Sequence, residues 1–394
     1  MNKSKTMILL CGFYITTFMG TVFTNAYMQT FLIRSGYNGE QRGFLTAGIS
    51  FVAILSPIIV GFLCDRFKTV KKAFNVTLIL LTIVAFIFYQ VTKVPFFMHI
   101  IIYSLLGGLW RTMMTIQDTW AIEIDDYFKD RYGRIRAFGA IGWMIANPIA
   151  GLCIERYGYG ILSWVAAGLA IFNLVYSMFL PDATKDDNAE PVHFSDLKVL
   201  FQNKDYILIV LVFFFLQMMQ VADGLTVVDK MMSLGGGEGI VGTRSSMQAL
   251  AELPLFFLGS ILLKKFGGLK LLMFGIMMYI VRYIGFALVQ TPELIVAVSL
   301  TQFCTFPLIM ITSRTLIHDA SPPNLKTSGV TIATSIYVGI PSLIAPIIIG
   351  KMIDAIGTDA TLLTVTIFGG IALLLGAVFA ATKKKGTAEP EATN

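Results

Sequence analysis

The chain has 394 residues, of which 56% are hydrophobic and only 14% charged, with a formal net charge of +6. Soluble domains carry about 25% charged residues, so this composition, with a mean hydropathy of +0.74, excludes an ordinary water-soluble fold and describes a polytopic membrane protein. The excess positive charge sits in short loops between apolar runs, so it indicates no nucleic-acid partner.

Apolar runs able to cross a ~30 Å hydrocarbon core, which takes about 20 helical residues, occur at 7–33, 43–64, 73–92, 95–123, 133–155, 159–180, 206–231, 239–263, 270–290, 293–317, 324–350 and 359–382. They are continuous rather than alternating, which excludes a transmembrane barrel. The expected fold class is an all-α membrane protein with twelve transmembrane helices in two pseudo-symmetric six-helix bundles. The expected organisation is a first bundle at 1–182, a cytoplasmic linker at 183–205, a second bundle at 206–382 and a tail at 383–394.

The first span lacks a small-residue cleavage site and reads as a retained helix. Asn25, Tyr27 and Gln29 interrupt its apolar run, either as interfacial hydrogen-bonding groups or as a face lining a cavity. The second span ends in GFLCDRFKTVKK, where Gly61 permits close helix approach and Asp65 stands among cations beside Arg66. Gly61, Asp65 and Arg66 are therefore the candidate cytoplasmic gate.

The fourth and fifth spans carry the most informative stretch. Arg111 and Asp118 lie two turns apart on one helix, and Arg136 and Trp143 lie two turns apart on the next. Two turns return to nearly the same face, so each helix has one polar stripe. A hairpin with its apex near Tyr127 brings Asp118 and Arg136 to one depth, and Arg111 and Trp143 to another further in. Ionisable side chains are costly inside a bilayer and mark function. Asp118, Arg136, Trp143 and Arg111, with Tyr27 and Asn25, are the candidate substrate-binding residues.

The polar stretch from Pro181 to Asp205 reads as a linker in which Ser195 could cap a short surface helix. In the second half, Asp223 lies near the middle of the seventh span, Glu252 in the eighth and Arg282 in the ninth. Counting from the turn at Gly267 puts Glu252 and Arg282 at one level. Burial raises the proton affinity of a carboxylate and an adjacent Arg lowers it, so a movement that separates the two would load a proton. A structural salt bridge is the other reading of these charges. Glu252, Arg282 and Asp223 are the candidate proton-coupling residues.

Gly61 and Lys72 precede Gly259 and Lys270 by the same distance, within one residue, as Gly151 and Gly158 precede Gly350 and Gly357. The two matches argue for a duplicated six-helix unit. Assigning alternate loops to opposite sides collects most Lys and Arg on one of them, which puts both termini in the cytoplasm. The cysteines (Cys11, Cys64, Cys153, Cys304) show neither pairing nor metal spacing, and no Cys/His/carboxylate group suggests a metal or cofactor. No catalytic set is clustered either, so an enzyme is not expected.

Twelve spans in repeated halves, with GFLCDRFKTVKK after the second, resemble the major facilitator superfamily. The run G-R-x-R-x-F-G-x-x-G-W from Gly133 to Trp143 is similar to the same stretch of the oligosaccharide/proton symporter group that includes lactose permease. That resemblance implies that Asp118 stands where the permease has a sugar-binding Glu, that Arg136 is its partner, that Trp143 stacks on a sugar ring and that Arg282 serves proton coupling. The chain departs from the group's pattern at several places. Ala249 occupies the aligned position of the coupling Glu, with Glu252 one turn later. Gln302 and Thr305 replace a titratable pair, and Arg111 adds a charge.

The expectation is a secondary active transporter in a cell membrane, a bacterial inner membrane, working as a monomer. It would take up a sugar or small oligosaccharide with protons by alternating access. The alternatives are a proton-coupled carrier of a nucleoside or an aromatic or organic acid, and an efflux antiporter.

Overall fold

In this computed structural model, residues 3–67, 69–91, 94–183, 197–322 and 325–388 are described. Ten helical segments are long and apolar enough to cross a membrane: α1 (Lys3–Arg34), α3 (Val70–Gln90), α4 (Phe96–Glu123), α5 (Tyr132–Tyr157), α6 (Gly160–Ser177), α7 (Lys204–Ser233), α9 (Gly268–Leu288), α10 (Pro292–Ala320), α11 (Ser328–Ile356) and α12 (Thr358–Thr382). Two further helices of 29 residues, α2 (Gly39–Phe67) and α8 (Glu238–Phe266), complete a set of twelve among the described residues. At about 1.5 Å per residue each of these also exceeds the ~30 Å core.

A backbone inside lipid must satisfy its own polar groups, and helices do so within one segment. The helix ends are therefore where specific residues act. Thr69 accepts from the amide of Lys72 at the start of α3, Asn203 from those of Asp205 and Tyr206 at the start of α7, and Thr291 from that of Leu294 at the start of α10. These are N-caps, filling amide valences that the first turn leaves open. Gly158 and Gly357 end α5 and α11 at φ +76° and +80°, a conformation that suits glycine.

Those two glycines are repeat equivalents, and the helices show the same duplication. A π-helical turn interrupts α1 at Val22–Ala26 and another interrupts α7 at Asp223–Val227. In α10 a 3-10 turn spans Leu300–Cys304. Such irregular turns sit frequently at functional positions of helices.

Two compact units emerge: one is Met1–Ala189 with Met231–Ala249, the other Glu190–Lys230 with Leu250–Asn394. In the first unit Phe13, Phe74 and Trp120 form an aromatic centre, and the Trp120 indole donates to Pro181 O at 2.9 Å. In the second, the Tyr283 hydroxyl donates to Met219 O at 2.6 Å, tying α9 to α7. Outward faces are apolar: Trp164, Ile171, Phe172, Met178 and Phe179 on and just after α6 are all exposed. A water-soluble protein does not leave such a band bare, and in lipid it is the contact surface.

Between α4 and α5 a single turn, Asp126–Lys129, is capped by Asp125, which accepts from the Tyr127 amide at 2.8 Å. Lys3 lies 2.9 Å from the same carboxylate. Its charge, with the Tyr127 amide, holds Asp125 below the usual carboxylate range. Past α6, Asp182 covers the start of α3, accepting from Thr69 Oγ1 at 2.6 Å, Lys71 N at 2.9 Å and Val70 N at 3.2 Å. The expected cap at Ser195 lies outside the described residues, and a short helix, Leu197–Leu200, follows it.

Candidate functional site

In the first unit the glycines of the Gly133–Trp143 motif decide how closely α5 meets α1. A Cβ at Gly139 would sit 2.8 Å from the Phe18 ring, and one at Gly142 would sit 2.2 Å from Ile15 O. With hydrogen in place of a side chain, α5 presses onto α1 and carries Arg136 across it. The Arg136 guanidinium stacks 4.3 Å from the Phe18 ring centroid, and its Nε is 3.7 Å from Asp118 Oδ1. Tyr14, one turn before Phe18 on α1, donates its hydroxyl to the same oxygen at 3.1 Å and to Gln117 O at 3.0 Å. The Tyr132 hydroxyl also reaches the Asp118 carboxylate.

The pair stays open to exchange. The Asp118 side chain is 31% exposed and that of Arg136 is 39% exposed. Arg111 is exposed on the face of α4 that carries Asp118, and its guanidinium forms no ion pair among the described residues. A cation without a carboxylate partner inside a span requires water or a ligand beside it. Trp143 is half-buried against the apolar core, one turn from Asn147, whose amide donates to its carbonyl at 2.8 Å.

The remaining candidates of this group lie elsewhere. Asn25 sits half-buried in the π turn of α1. Tyr27 is buried, and its hydroxyl donates to Asn147 O, so it serves packing of α1 on α5. Gln29 donates to Thr46 Oγ1 and to Tyr103 Oη, both at 2.8 Å, forming a polar junction of α1, α2 and α4. For the candidate gate, Gly61 and Asp65 fall in the last turns of α2 with side chains outside the described residues, and Arg66 is exposed.

In the second unit Arg282 is the centre. Its side chain is 1% exposed; Nη2 lies 3.9 Å from Asp223 Oδ2 and Nη1 donates to Thr305 Oγ1 at 3.1 Å. The guanidinium stands 5.1 Å from the Phe286 centroid. Glu252 Oε1 accepts from Gln302 Nε2 at 2.7 Å. The residue count set Glu252 and Arg282 at one level; beside them, Asp223 brings a second carboxylate to Arg282, and Gln302 brings an amide to Glu252. Asp223 opens the π turn of α7 and Gln302 lies in the 3-10 turn of α10. Both irregular turns rotate a side chain away from the direction a regular helix would give it.

Tyr14, Phe18 and Tyr132 were not legible as site residues. Tyr14 and Phe18 look like any aromatic pair one turn apart in an apolar helix, and only the approach of α5 reveals their role. Among the described residues no group of three or more His, Cys, Asp or Glu side chains could hold a metal ion.

A family model, the MFS_1 like family, matches residues 7–364. The chain belongs to that family. It is therefore a multi-pass membrane transporter of the major facilitator superfamily. A putative nucleoside transporter, YegT of Escherichia coli (strain K12), is 27% identical over 353 residues, covering 82% of this chain and 79% of its own. The crystal structure of the nucleoside transporter NupG superposes on this family member with a TM-score of 0.80 at 17% identity, over 98% of this chain and 100% of that one. An inward-facing bacterial homologue of the human lysosomal transporter Spinster gives a TM-score of 0.71 at 13% identity, over 97% and 98% of the two chains. These two structural likenesses establish the fold. None of the three is named as an oligosaccharide symporter, so the resemblance to the lactose permease group gains no support from them.

Proposed function

We propose that this transporter carries nucleosides, coupling their uptake to protons, with both termini in the cytoplasm of a bacterial cell. The observation that carries the reading is the similarity to YegT over 82% of the chain, with the NupG-like fold beside it. The chemistry of the first unit suits such a cargo. A ribose offers adjacent hydroxyls, which Asp118 and Arg136 can take by charge-assisted hydrogen bonds, and a base offers a ring face to Trp143 and an acceptor edge to Arg111. The sugar reading expected from the Gly133–Trp143 motif is narrowed by this to the sugar of a nucleoside.

Glu252, Arg282 and Asp223 are the proposed coupling set. Protonating Glu252 would remove the charge that Gln302 now satisfies, and a shift of Arg282 between Asp223 and Glu252 would reset it. Gly61, Asp65 and Arg66 remain the proposed cytoplasmic gate.

The test is a thermal-shift panel on detergent-solubilised protein with purine and pyrimidine nucleosides, free bases, disaccharides and organic acids. A ligand of the folded state raises apparent stability by an amount that grows with its concentration over Kd. Nucleosides are expected to stabilise and disaccharides not to. Stabilisation by disaccharides alone would return the oligosaccharide reading.

A further inference from the structure

The start of α8 belongs to the first unit and is held there in an unusual way. Glu238 is almost buried, with a side chain 6% exposed, and its carboxylate is held mainly by side chains from two other helices. It accepts from Arg34 Nε at 2.9 Å and Nη2 at 3.4 Å at the end of α1, and from the Tyr159 hydroxyl at 2.9 Å at the start of α6. One residue on, the Gly239 amide donates to Glu155 Oε1 of α5 at 2.8 Å. Two turns further, Ser246 donates to Met144 O at 2.6 Å.

Glycine makes this docking close. A Cβ at Gly151 would lie 2.5 Å from Glu238 O, one at Gly237 2.3 Å from Glu155 Oε1, and one at Gly242 2.2 Å from the Tyr27 hydroxyl and 2.5 Å from Asn147 O. Such a seam can part with less loss than an interdigitated apolar one, because water replaces each hydrogen bond as it breaks.

The second unit supplies a control. Lys230 lies one turn before the end of α7. Lys230 is 2% exposed, lies 2.7 Å from Asp359 Oδ1 at the start of α12 and donates to Ala287 O at 2.7 Å. In the first unit the carboxylate beside Arg34 is brought by α8, and the start of α6 contributes the uncharged Tyr159. Arg34 is 55% exposed, so it is already largely hydrated and its pairing is worth little net.

We propose that Glu238 is the release point of a polar clasp that holds the start of α8 on the first unit and opens once in each transport cycle. This rests on the transporter reading but not on the identity of the cargo. The experiment places a reporter cysteine at Ser246→Cys in purified full-length protein in nanodiscs and follows its reaction with N-ethylmaleimide by peptide mass spectrometry. Glu238→Gln and Arg34→Ala are each expected to speed labelling about tenfold, the size of one lost charge-assisted hydrogen bond. Arg34→Glu combined with Glu238→Arg is expected to restore the slow rate. Asp359→Asn is expected to lower the melting temperature and leave labelling at 246 unchanged. Unchanged labelling in Glu238→Gln, or equal acceleration in Asp359→Asn, overturns the clasp. Because no substrate enters this assay, a failed clasp leaves the nucleoside reading intact, and a failed nucleoside panel leaves the clasp testable.

Discussion

The Asp118–Arg136 pair and the Asp223–Arg282 pair are chemically alike and differ in their surroundings. Their separations are close, 3.7 Å and 3.9 Å, but the Arg136 side chain is 39% exposed and that of Arg282 is 1% exposed. An exposed pair gains little from its own attraction and can exchange partners with a solute. A buried pair cannot lose one member without stranding the other charge. In the proposed function the first unit is the one that receives cargo from outside. The second keeps a cation in place, and in the proposed function carboxylates compete for it.

Breaking the second pair should have the largest effect. Arg282→Ala is expected to destabilise the protein by about 3 kcal/mol, read as a lower melting temperature in detergent. An unchanged melting temperature would put the two pairs in one class. Arg136→Ala comes next: it removes two charge-assisted contacts to cargo and should reduce kcat/KM for nucleoside uptake about a hundredfold while the fold survives. If Arg136→Ala unfolds the protein and Arg282→Ala does not, the assignment of roles is reversed.

Glu252→Gln sharpens the contrast. Gln302 can still hydrogen-bond a neutral amide, so nucleoside exchange should persist while accumulation against a gradient disappears. Accumulation by the Gln variant equal to the parent would remove Glu252 from coupling.

The smallest effect lies outside both pairs, at Asp182. Partial burial alone would raise its pKa, but hydrogen bonds from Thr69 and from the amides of Lys71, Ala183 and Val70 outweigh it and hold the carboxyl below the usual range. A depressed folded pKa adds stability that is full above the ordinary value of 3.8 and is lost as pH falls through the folded one. Asp182→Asn should therefore lower the melting temperature slightly at neutral pH, where the carboxylate's contribution is full, and flatten its fall in acid.

The fold was readable because each span announces itself as an apolar run and short charged loops leave few topologies. The pairing of Asp118 with Arg136 was readable for a related reason: both helices are regular between the hairpin and the pair, so counting residues measures depth. The same arithmetic set Glu252 and Arg282 level but left out Asp223, 3.9 Å from Arg282, and Gln302, which donates to Glu252, because both lie on helices the count did not cross. The π turn at Asp223–Val227 and the 3-10 turn at Leu300–Cys304 change rotation per residue, and neither has a signature in the letters. Tyr14 was hidden because its role depends on a helix more than a hundred residues away. Glu238 was missed since a carboxylate at the first turn of a span resembles an ordinary surface charge.

The most direct test of the central claim is uptake of labelled uridine and adenosine into proteoliposomes under an imposed inward proton gradient, comparing the parent with Arg136→Ala and Glu252→Gln. The account predicts accumulation by the parent, negligible entry with Arg136→Ala, and entry only to equilibrium with Glu252→Gln. Parent vesicles that take up a disaccharide and neither nucleoside, or an Arg136→Ala variant that accumulates nucleoside as the parent does, would contradict it.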